Sequence, residues 1–441
     1  MRKIVRIIWL YALLAALLSG CGMTTVDELY SPPKRSEAYL NLQSSVDSAM
    51  TDLEYSAPRT GENQQTVQMA DLDGDGNMEY LLFAKGQSEL PLKVLIFRKG
   101  KDSYTLWDTI ESYGAAFDQV EYVNVDDRPG FELVVGRQLS DQVVGSVSVY
   151  TFAHGKSEQV MTTNYTKFLA CDLDSSGQSE LLVFRPGESD EGHGLAERYS
   201  FVDGAMEKSV EAAMSAPSGN LRRILSGCLN DGTPAVYAAS SVDEDSIITD
   251  VFALVNGRFT NVLLGSDAGT GVQTLRNYYV YAEDIDQDGV VELPDLIPMV
   301  QTEQDSRKAT VHHLIRWYSV NPDGSQVDKL YTYHNFGGGW YLELDKQWAH
   351  RISVEQTGME YAFFLWDEEL RSNQKLMTIY AFSGQDRDEQ SLKEGRILLY
   401  RTDAVVYAAA PEKELEFYQT IKESLEEAFH LIHRDWKTGE T

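Results

Sequence analysis

The sequence predicts an all-β protein: a single β-propeller of six four-stranded blades, with room for a seventh, flanked by a short N-terminal helix and a C-terminal amphipathic helix. Three observations carry this. Between residues 56 and 410 the chain is written in short apolar strands separated by tight turns. An acidic turn followed by a strand recurs at intervals of about 50 residues, a period that fits propeller blades better than an array of separate domains. At the two ends the apolar residues shift to helical spacing.

The chain opens with Arg2, Lys3 and Arg6 and an apolar run from Ile7 to Leu18. A basic start before a short apolar stretch is the pattern of a secretory signal, here residues 1–20. The run falls short of the roughly 20 apolar residues a spanning helix needs, which disfavours the alternative of a plain transmembrane anchor. It ends in Leu18-Ser19-Gly20-Cys21, which resembles a bacterial lipobox. That resemblance implies that Cys21 becomes the N-terminus and carries acyl chains of the palmitate kind. The protein would then be exported and lipid-anchored to the outer face of the cell membrane, two or more chains being needed for stable anchoring. Residues 21–35 read as a flexible tether. A short helix is expected over 36–55, with Ser36 as N-cap and Leu42, Val46, Ala49, Met50 and Leu53 on one face.

The first blade parses into strands at residues 65–70, 79–85, 92–98 and 104–110. The acid that closes each turn serves as a ruler and falls at Glu79, Glu132, Glu180, Glu292 and Glu360. The interval from Glu180 to Glu292 is about double the others, and a worn copy at residues 229–237 fills its middle. The copy at 358–364 keeps the strand but has lost the acids. A seventh blade would fit in the long interval between Glu292 and Glu360. A C-terminal helix is expected over 411–436. Pro411 opens it, and Leu415, Tyr418, Ile421, Leu425, Phe429 and Ile432 form its apolar stripe.

The turns themselves are Asp71-Leu72-Asp73-Gly74-Asp75-Gly76-Asn77-Met78-Glu79, Asp172-Leu173-Asp174-Ser175-Ser176-Gly177-Gln178-Ser179-Glu180 and Asp284-Ile285-Asp286-Gln287-Asp288-Gly289-Val290-Val291-Glu292. Calcium takes six to eight oxygen ligands, and carboxylates at alternate positions point inward when a loop curls around an ion. The pattern resembles the calcium loops of FG-GAP and VCBS-type propeller repeats, as in the integrin α-subunit head. By that resemblance the first loop would ligate through Asp71, Asp73, Asp75, the carbonyl of Asn77, and Glu79. The fifth would use Asp284, Asp286, Asp288, the carbonyl of Val290, and Glu292. Asp172, Asp174, Ser176 and Glu180 form a weaker set, since Ser176 stands where an acid belongs. The second copy, residues 124–132, puts Arg128 at the fifth position, where its charge would replace a metal. The alternative is a set of Asx turns that need no ion.

Net charge is −30, which disfavours nucleic acid and anionic lipid headgroups as partners. Beyond Cys21 only Cys171 and Cys228 remain, expected as free thiols rather than a disulfide. No nucleophile elbow, phosphate loop or His-Glu-x-x-His is present, so nothing points positively to an enzyme. His312 and His313 are neighbours in a strand and face opposite ways. His430 and His433 would share a helix face. Aromatic rings are dense at Trp317, Tyr318, Tyr331, Tyr333, Trp340, Tyr341, Trp348 and Trp366. They would either fill the core or offer stacking surfaces to sugars. The polar excursion at 187–194 offers a contact for a partner. The expected function is a cell-surface binding or scaffolding module with structural calcium, its partner an extracellular protein or glycan. The alternative is a glycan-binding or glycan-active propeller, because fold does not decide function.

Overall fold

The computed structural model describes residues 37–100, 103–140, 144–187, 192–244, 246–264, 272–277, 280–300, 312–367, 372–413 and 424–432. The expectations for the leader, Cys21, the tether, Ser36 and His433 lie outside these residues. The fold is an all-β propeller with few helices. Among the described residues the strands form six antiparallel sheets of four or five strands, and no helix is long and apolar enough to cross a membrane.

The first sheet contains β1 (Glu54–Tyr55), β2 (Val67–Ala70), β3 (Glu79–Lys85), β4 (Leu92–Lys99) and β5 (Tyr104–Ser112). The second runs β6 (Ala116–Val123), β7 (Glu132–Gln138), β8 (Gly145–Thr151) and β9 (Glu158–Tyr165). The third runs β10 (Lys167–Cys171), β11 (Glu180–Pro186), β12 (Gly194–Val202) and β13 (Ala205–Ala213). The fourth is β14 (Leu221–Cys228), β15 (Pro234–Ser241), β16 (Ile247–Val255) and β17 (Arg258–Asn261). The fifth holds β18 (Leu293–Pro298), β19 (His313–Val320), β20 (Gln326–Asn335) and β21 (Trp340–Leu344), joined by β27 (Phe429–Leu431). The sixth holds β22 (Ile352–Thr357), β23 (Glu360–Asp367), β24 (Ser372–Ser383), β25 (Ile397–Arg401) and β26 (Val405–Pro411). The described strands between Glu292 and Glu360, where a seventh blade would fit, belong to the fifth sheet apart from β22, which opens the sixth.

Alternation along each strand feeds two faces, and successive sheets bury apolar faces against one another. Leu81, Phe83, Val94 and Ile96 of the first sheet pack on Phe117, Val120, Leu133 and Val135 of the second. Similar apolar clusters join the second sheet to the third, the third to the fourth, the fourth to the fifth and the fifth to the sixth. The opposite face of the first sheet, Leu82, Ala84, Leu95 and Phe97, is covered by helix α1 (Glu37–Ala49). The helix does this with Leu42, Val46, Ala49 and Met50, and Leu53 follows, which is the stripe read from the sequence. Among the described residues no apolar cluster joins the sixth sheet to the first.

The end of the chain departs from expectation. Pro411 closes strand β26, paired with Met377, rather than opening a helix. Only residues 424–428 of the described part are helical, and the chain then turns into β27. The reason is pairing: Phe429, His430 and Leu431 meet Leu342, Tyr341 and Trp340 across an otherwise open edge, and Phe429 stacks on Trp340 at 5.4 Å. An edge strand offers unpaired backbone groups, and covering it outweighs one more helical turn. His430 therefore lies on a strand, stacked on Tyr341 and 2.9 Å from Glu343 Oε1. The aromatic group resolves as core: Trp317, Trp340, Tyr318, Tyr331, Tyr333 and Tyr341 are buried, while Trp348 and Trp366 are half-buried. Cys171 and Cys228 are free thiols.

Candidate metal centre

The first and third acidic turns join β2 to β3 and β10 to β11, the fifth leads from a bridge between Glu283 and Glu292 into β18, and the reason for their shape is local. A residue at the fourth position and a Gly at the sixth adopt positive φ in all three acid-rich copies. The values are +71° and +84° at Gly74 and Gly76, +57° and +83° at Ser175 and Gly177, and +60° and +88° at Gln287 and Gly289. Two left-handed residues curl the backbone so that side chains at positions one, three and five converge. The apolar second residue, Leu72, Leu173 or Ile285, is buried beneath and pins the loop to the core.

The ninth-position glutamate is the anchor. Glu79, Glu180 and Glu292 are buried, and so is Glu132 of the Arg-bearing copy. In all four, Oε2 accepts from the backbone N–H of the second residue: Leu72 at 2.9 Å, Val125 at 3.1 Å, Leu173 at 2.8 Å and Ile285 at 3.2 Å. The other oxygen separates the copies. Glu132 Oε1 accepts from Thr151 Oγ1 at 3.2 Å, and Glu180 Oε1 is paired with Arg198. Glu79 Oε1 and Glu292 Oε1 are buried with no hydrogen-bond partner, and Asp71 Oδ1 shares that condition. Native buried carboxylate oxygens are rarely left so. Burial, with the neighbouring aspartates, pushes the Glu79 carboxyl up to about 7 and that of Glu292 up to about 8.

The remaining acids hold the curl. Asp71 Oδ2 accepts from Gly76 N at 2.9 Å, Asp172 Oδ2 from Gly177 N at 2.8 Å and Asp284 Oδ2 from Gly289 N at 2.9 Å. Asp75 and Asp288 accept from the N–H groups of Asn77 and Val290 at 2.7 and 2.8 Å. These are Asx turns, as the alternative reading required, and in Asp172 and Asp284 both carboxylate oxygens accept, Oδ1 taking the N–H of Ser176 and of Asp288 at 3.0 Å. Three sets nevertheless bring one ligand oxygen from each member within 4.8 Å of the others: Asp71, Asp73 and Glu79; Asp172, Asp174 and Glu180; Asp284, Asp286 and Glu292. Hard oxygens at such spacing suit calcium.

Sequence reasoning missed the cations that come from the facing strands. Arg98 on β4 pairs with Asp73 and with Asp75, and its Nε lies 3.9 Å from Glu79 Oε1. Arg198 on β12 spans Asp174 and Glu180. Lys329 on β20 pairs with Asp288 Oδ2 at 2.9 Å. Arg128 pairs with Asp126 as its position implied. A guanidinium therefore fills the third loop, flanks the first and leaves the inner acids of the fifth to one another. Asp286 reflects this, its carboxyl raised by burial and by Asp288. The donor set fits a divalent cation best at the fifth loop, next at the first, and least at the third. In the worn copy Asp231 Oδ1 takes the Thr233 N–H at 3.0 Å, and Leu229 N closes the turn on Thr233 O at 2.8 Å. Glu360 is exposed and carries no equivalent role.

No family model matches the chain, and no curated protein matches it. Among solved structures it is similar to the exotype rhamnogalacturonan lyase YesX at 12% identity, covering 74% of this chain and 65% of that one, with a TM-score of 0.28. The chain thus spans just under two thirds of that enzyme's length. A protein from Lactobacillus plantarum matches at 11% identity over 72% of this chain and 85% of its own, with a TM-score of 0.28. A 6-phosphogluconolactonase-like protein of Bacteroides fragilis matches at 11% over 73% and 92%, with a TM-score of 0.26. Likeness at this level transfers neither activity nor ligand.

Proposed function

We propose that the chain is a lipid-anchored binding or scaffolding module, displayed on the outer face of a bacterial cell membrane through Cys21, whose propeller is stiffened by structural calcium. Its partner is an extracellular protein or glycan rather than nucleic acid, in keeping with the acidic net charge. The observation that supports calcium best is Glu292 Oε1, a buried oxygen without a hydrogen-bond partner inside a ring of aspartates. Asp284, Asp286, Asp288, Glu292 and the Val290 carbonyl would hold the ion there. Asp71, Asp73, Asp75, Glu79 and the Asn77 carbonyl would hold a second, with Arg98 swinging clear.

Binding to the native state adds RT ln(1 + [L]/Kd) to stability, about 2.7 kcal/mol at a hundredfold excess over Kd. Extracellular modules bind calcium at roughly 10⁻⁴ to 10⁻³ M, so millimolar calcium gives about 1 kcal/mol per site. The melting temperature is expected to rise with millimolar calcium and to fall with chelator. Asp286→Ala removes most of that response, Asp73→Ala removes less, and Asp126→Ala leaves it unchanged. Calorimetric melts of the parent and the three variants decide this. No calcium shift in the parent, or an equal shift in an Asp73→Ala/Asp286→Ala double variant, would mean that the turns hold themselves.

A further inference from the structure

The strands that open the second, third and fourth sheets, β6, β10 and β14, converge with residues 59–64 on one cavity of about 440 Å³. Its walls carry Arg59, Lys167, Arg222 and Arg223. In a chain with 68 acids against 38 Lys and Arg residues, four cations at one cavity run against the composition. Arg223 is committed: it is buried, and its Nη2 donates to Glu283 at 2.8 Å. The other three are not. Arg59 donates to the neutral Gln138 amide at 2.6 Å and Arg222 to Ser241 Oγ at 3.1 Å. Among the described residues none of Arg59, Lys167 and Arg222 has a carboxylate partner. Elsewhere Arg98, Arg198 and Arg316 each bind two carboxylates.

The cationic wall is built into the scaffold. The Arg59 and Thr60 N–H groups both donate to Asp118 O at 2.8 Å, Thr60 bridges to Gln119, and Asn63 Nδ2 donates to Val120 O at 3.0 Å. These bonds fix residues 59–63 along β6. Of the nearby acids, Asp118 and Glu121 are held by hydrogen bonds. Asp118 accepts from Thr60 Oγ1 at 3.2 Å and from Tyr165 OH at 2.5 Å. Glu121 accepts from the Gln119 amide, and burial pushes its carboxyl up to about 7. Glu62 is exposed. Thr60, Gln64 and Gln119 add hydroxyl and amide groups to the same cavity.

We propose that this cavity binds a small hydroxylated anion, a carboxylate-bearing sugar, with Arg59, Lys167 and Arg222 meeting the carboxylate and Thr60, Gln64 and Gln119 meeting the hydroxyls. Guanidinium groups match a carboxylate in a two-pronged geometry, and such charge-assisted bonds are roughly twice as strong as neutral ones. The volume lies in the range of small-ligand pockets. This names a ligand class for the binding module proposed above and rests on that reading.

The test is isothermal titration of the full chain in detergent with galacturonate, galactose and inorganic phosphate. Galacturonate is expected to bind, with galactose and phosphate at least tenfold weaker. Lys167→Gln and Arg222→Gln each lower galacturonate affinity by about tenfold or more, because each removes a bond to a charged group, and the pair abolishes it. Both residues are exposed and lack a carboxylate partner, so the calcium-dependent melt of the double variant stays at the parent value. Galacturonate binding that is absent, that survives the double substitution, or that is matched by galactose or phosphate overturns the site. Loss of the calcium response with galacturonate binding intact would instead overturn the metal reading and leave this one standing.

Discussion

Glu292 shows how one residue ties burial, charge and stability together. Its carboxyl is pushed up to about 8 by burial and then by Asp286 and Asp288, while in the unfolded chain it returns to the ordinary value of 4.5. Glu79 is raised in the same way to about 7. A group that holds its proton more tightly when folded stabilises the fold below its unfolded value and loses that contribution as pH rises through the folded one. Without calcium, stability is therefore expected to fall between pH 6.5 and 8, by at most about 1.4 kcal/mol per pH unit for each proton. Below pH 6.5 His334 acts in the opposite sense, because burial lowers it from 6.5 to about 3 and protonation then favours the unfolded chain. The upper window isolates the glutamates. Urea melts in chelator across that window should show the decline, and Glu292→Gln should make it shallower, above all between pH 7 and 8 where Glu79 and Glu121, both raised to about 7, contribute less, since the amide oxygen still accepts from Ile285 N. Calcium should flatten the decline, because the ion displaces the proton from the same oxygen and neither the folded nor the unfolded glutamate then carries it. A variant as steep as the parent would place the titrating group elsewhere.

Among the elements, the acidic turn was the most legible because its geometry is local. Asp at alternate positions and Gly at the sixth dictate the curl, whatever surrounds it, and four of the five strands of the first sheet followed from alternation and turn residues. What required long-range pairing could not be read. Arg98 and Arg198 come from facing strands, and β27 crosses to the fifth sheet from the far end of the chain. Periodicity at Leu425 and Phe429 suits a helix, and only the open edge of β21 makes a strand of Phe429–Leu431. The basic cavity was invisible for the same reason, since Arg59, Lys167 and Arg222 stand far apart in sequence. The turns also act between sheets. Asp71 O accepts from Phe131 N at 3.0 Å, Asn124 O from Ser179 N at 2.6 Å and Cys228 O from Val291 N at 3.2 Å, each bond crossing to the next repeat. Gly74 and Gly76 separate the local from the long-range role. Both have positive φ, so Ala at either costs about 1–2 kcal/mol in backbone strain. A Cβ on Gly76 meets nothing within 4 Å, whereas one on Gly74 would lie 2.4 Å from Pro129 O. Gly74→Ala is therefore expected to destabilise by clearly more than Gly76→Ala, measured as the difference between their denaturation midpoints. Equal losses would mean that the first and second turns do not pack as described.

At the level of the whole molecule, stability is a chain of interfaces. Five apolar clusters link successive sheets from the first to the sixth, and α1 covers the face of the first sheet that has no sheet against it. Each sheet alone leaves an apolar face open, and burying one Val, Leu, Ile or Phe is worth about 1.5–3 kcal/mol. The second sheet would expose Phe117, Val120, Leu133, Val135 and Tyr150 if the first were absent. Five such residues amount to about 10 kcal/mol, comparable to the whole stability of a typical domain. Repeats coupled this strongly unfold together rather than one by one. The intact chain is thus expected to melt in a single calorimetric transition whose calorimetric and van't Hoff enthalpies agree. Deleting residues 64–111 removes most of the first sheet and strands α1 without its partner surface as well. The product should be insoluble, or soluble with exposed apolar surface and no sharp transition. A deletion product that stays soluble and melts cooperatively near the parent temperature would show that the repeats are independent modules, and would break the argument that the interfaces, not the single sheets, hold the fold.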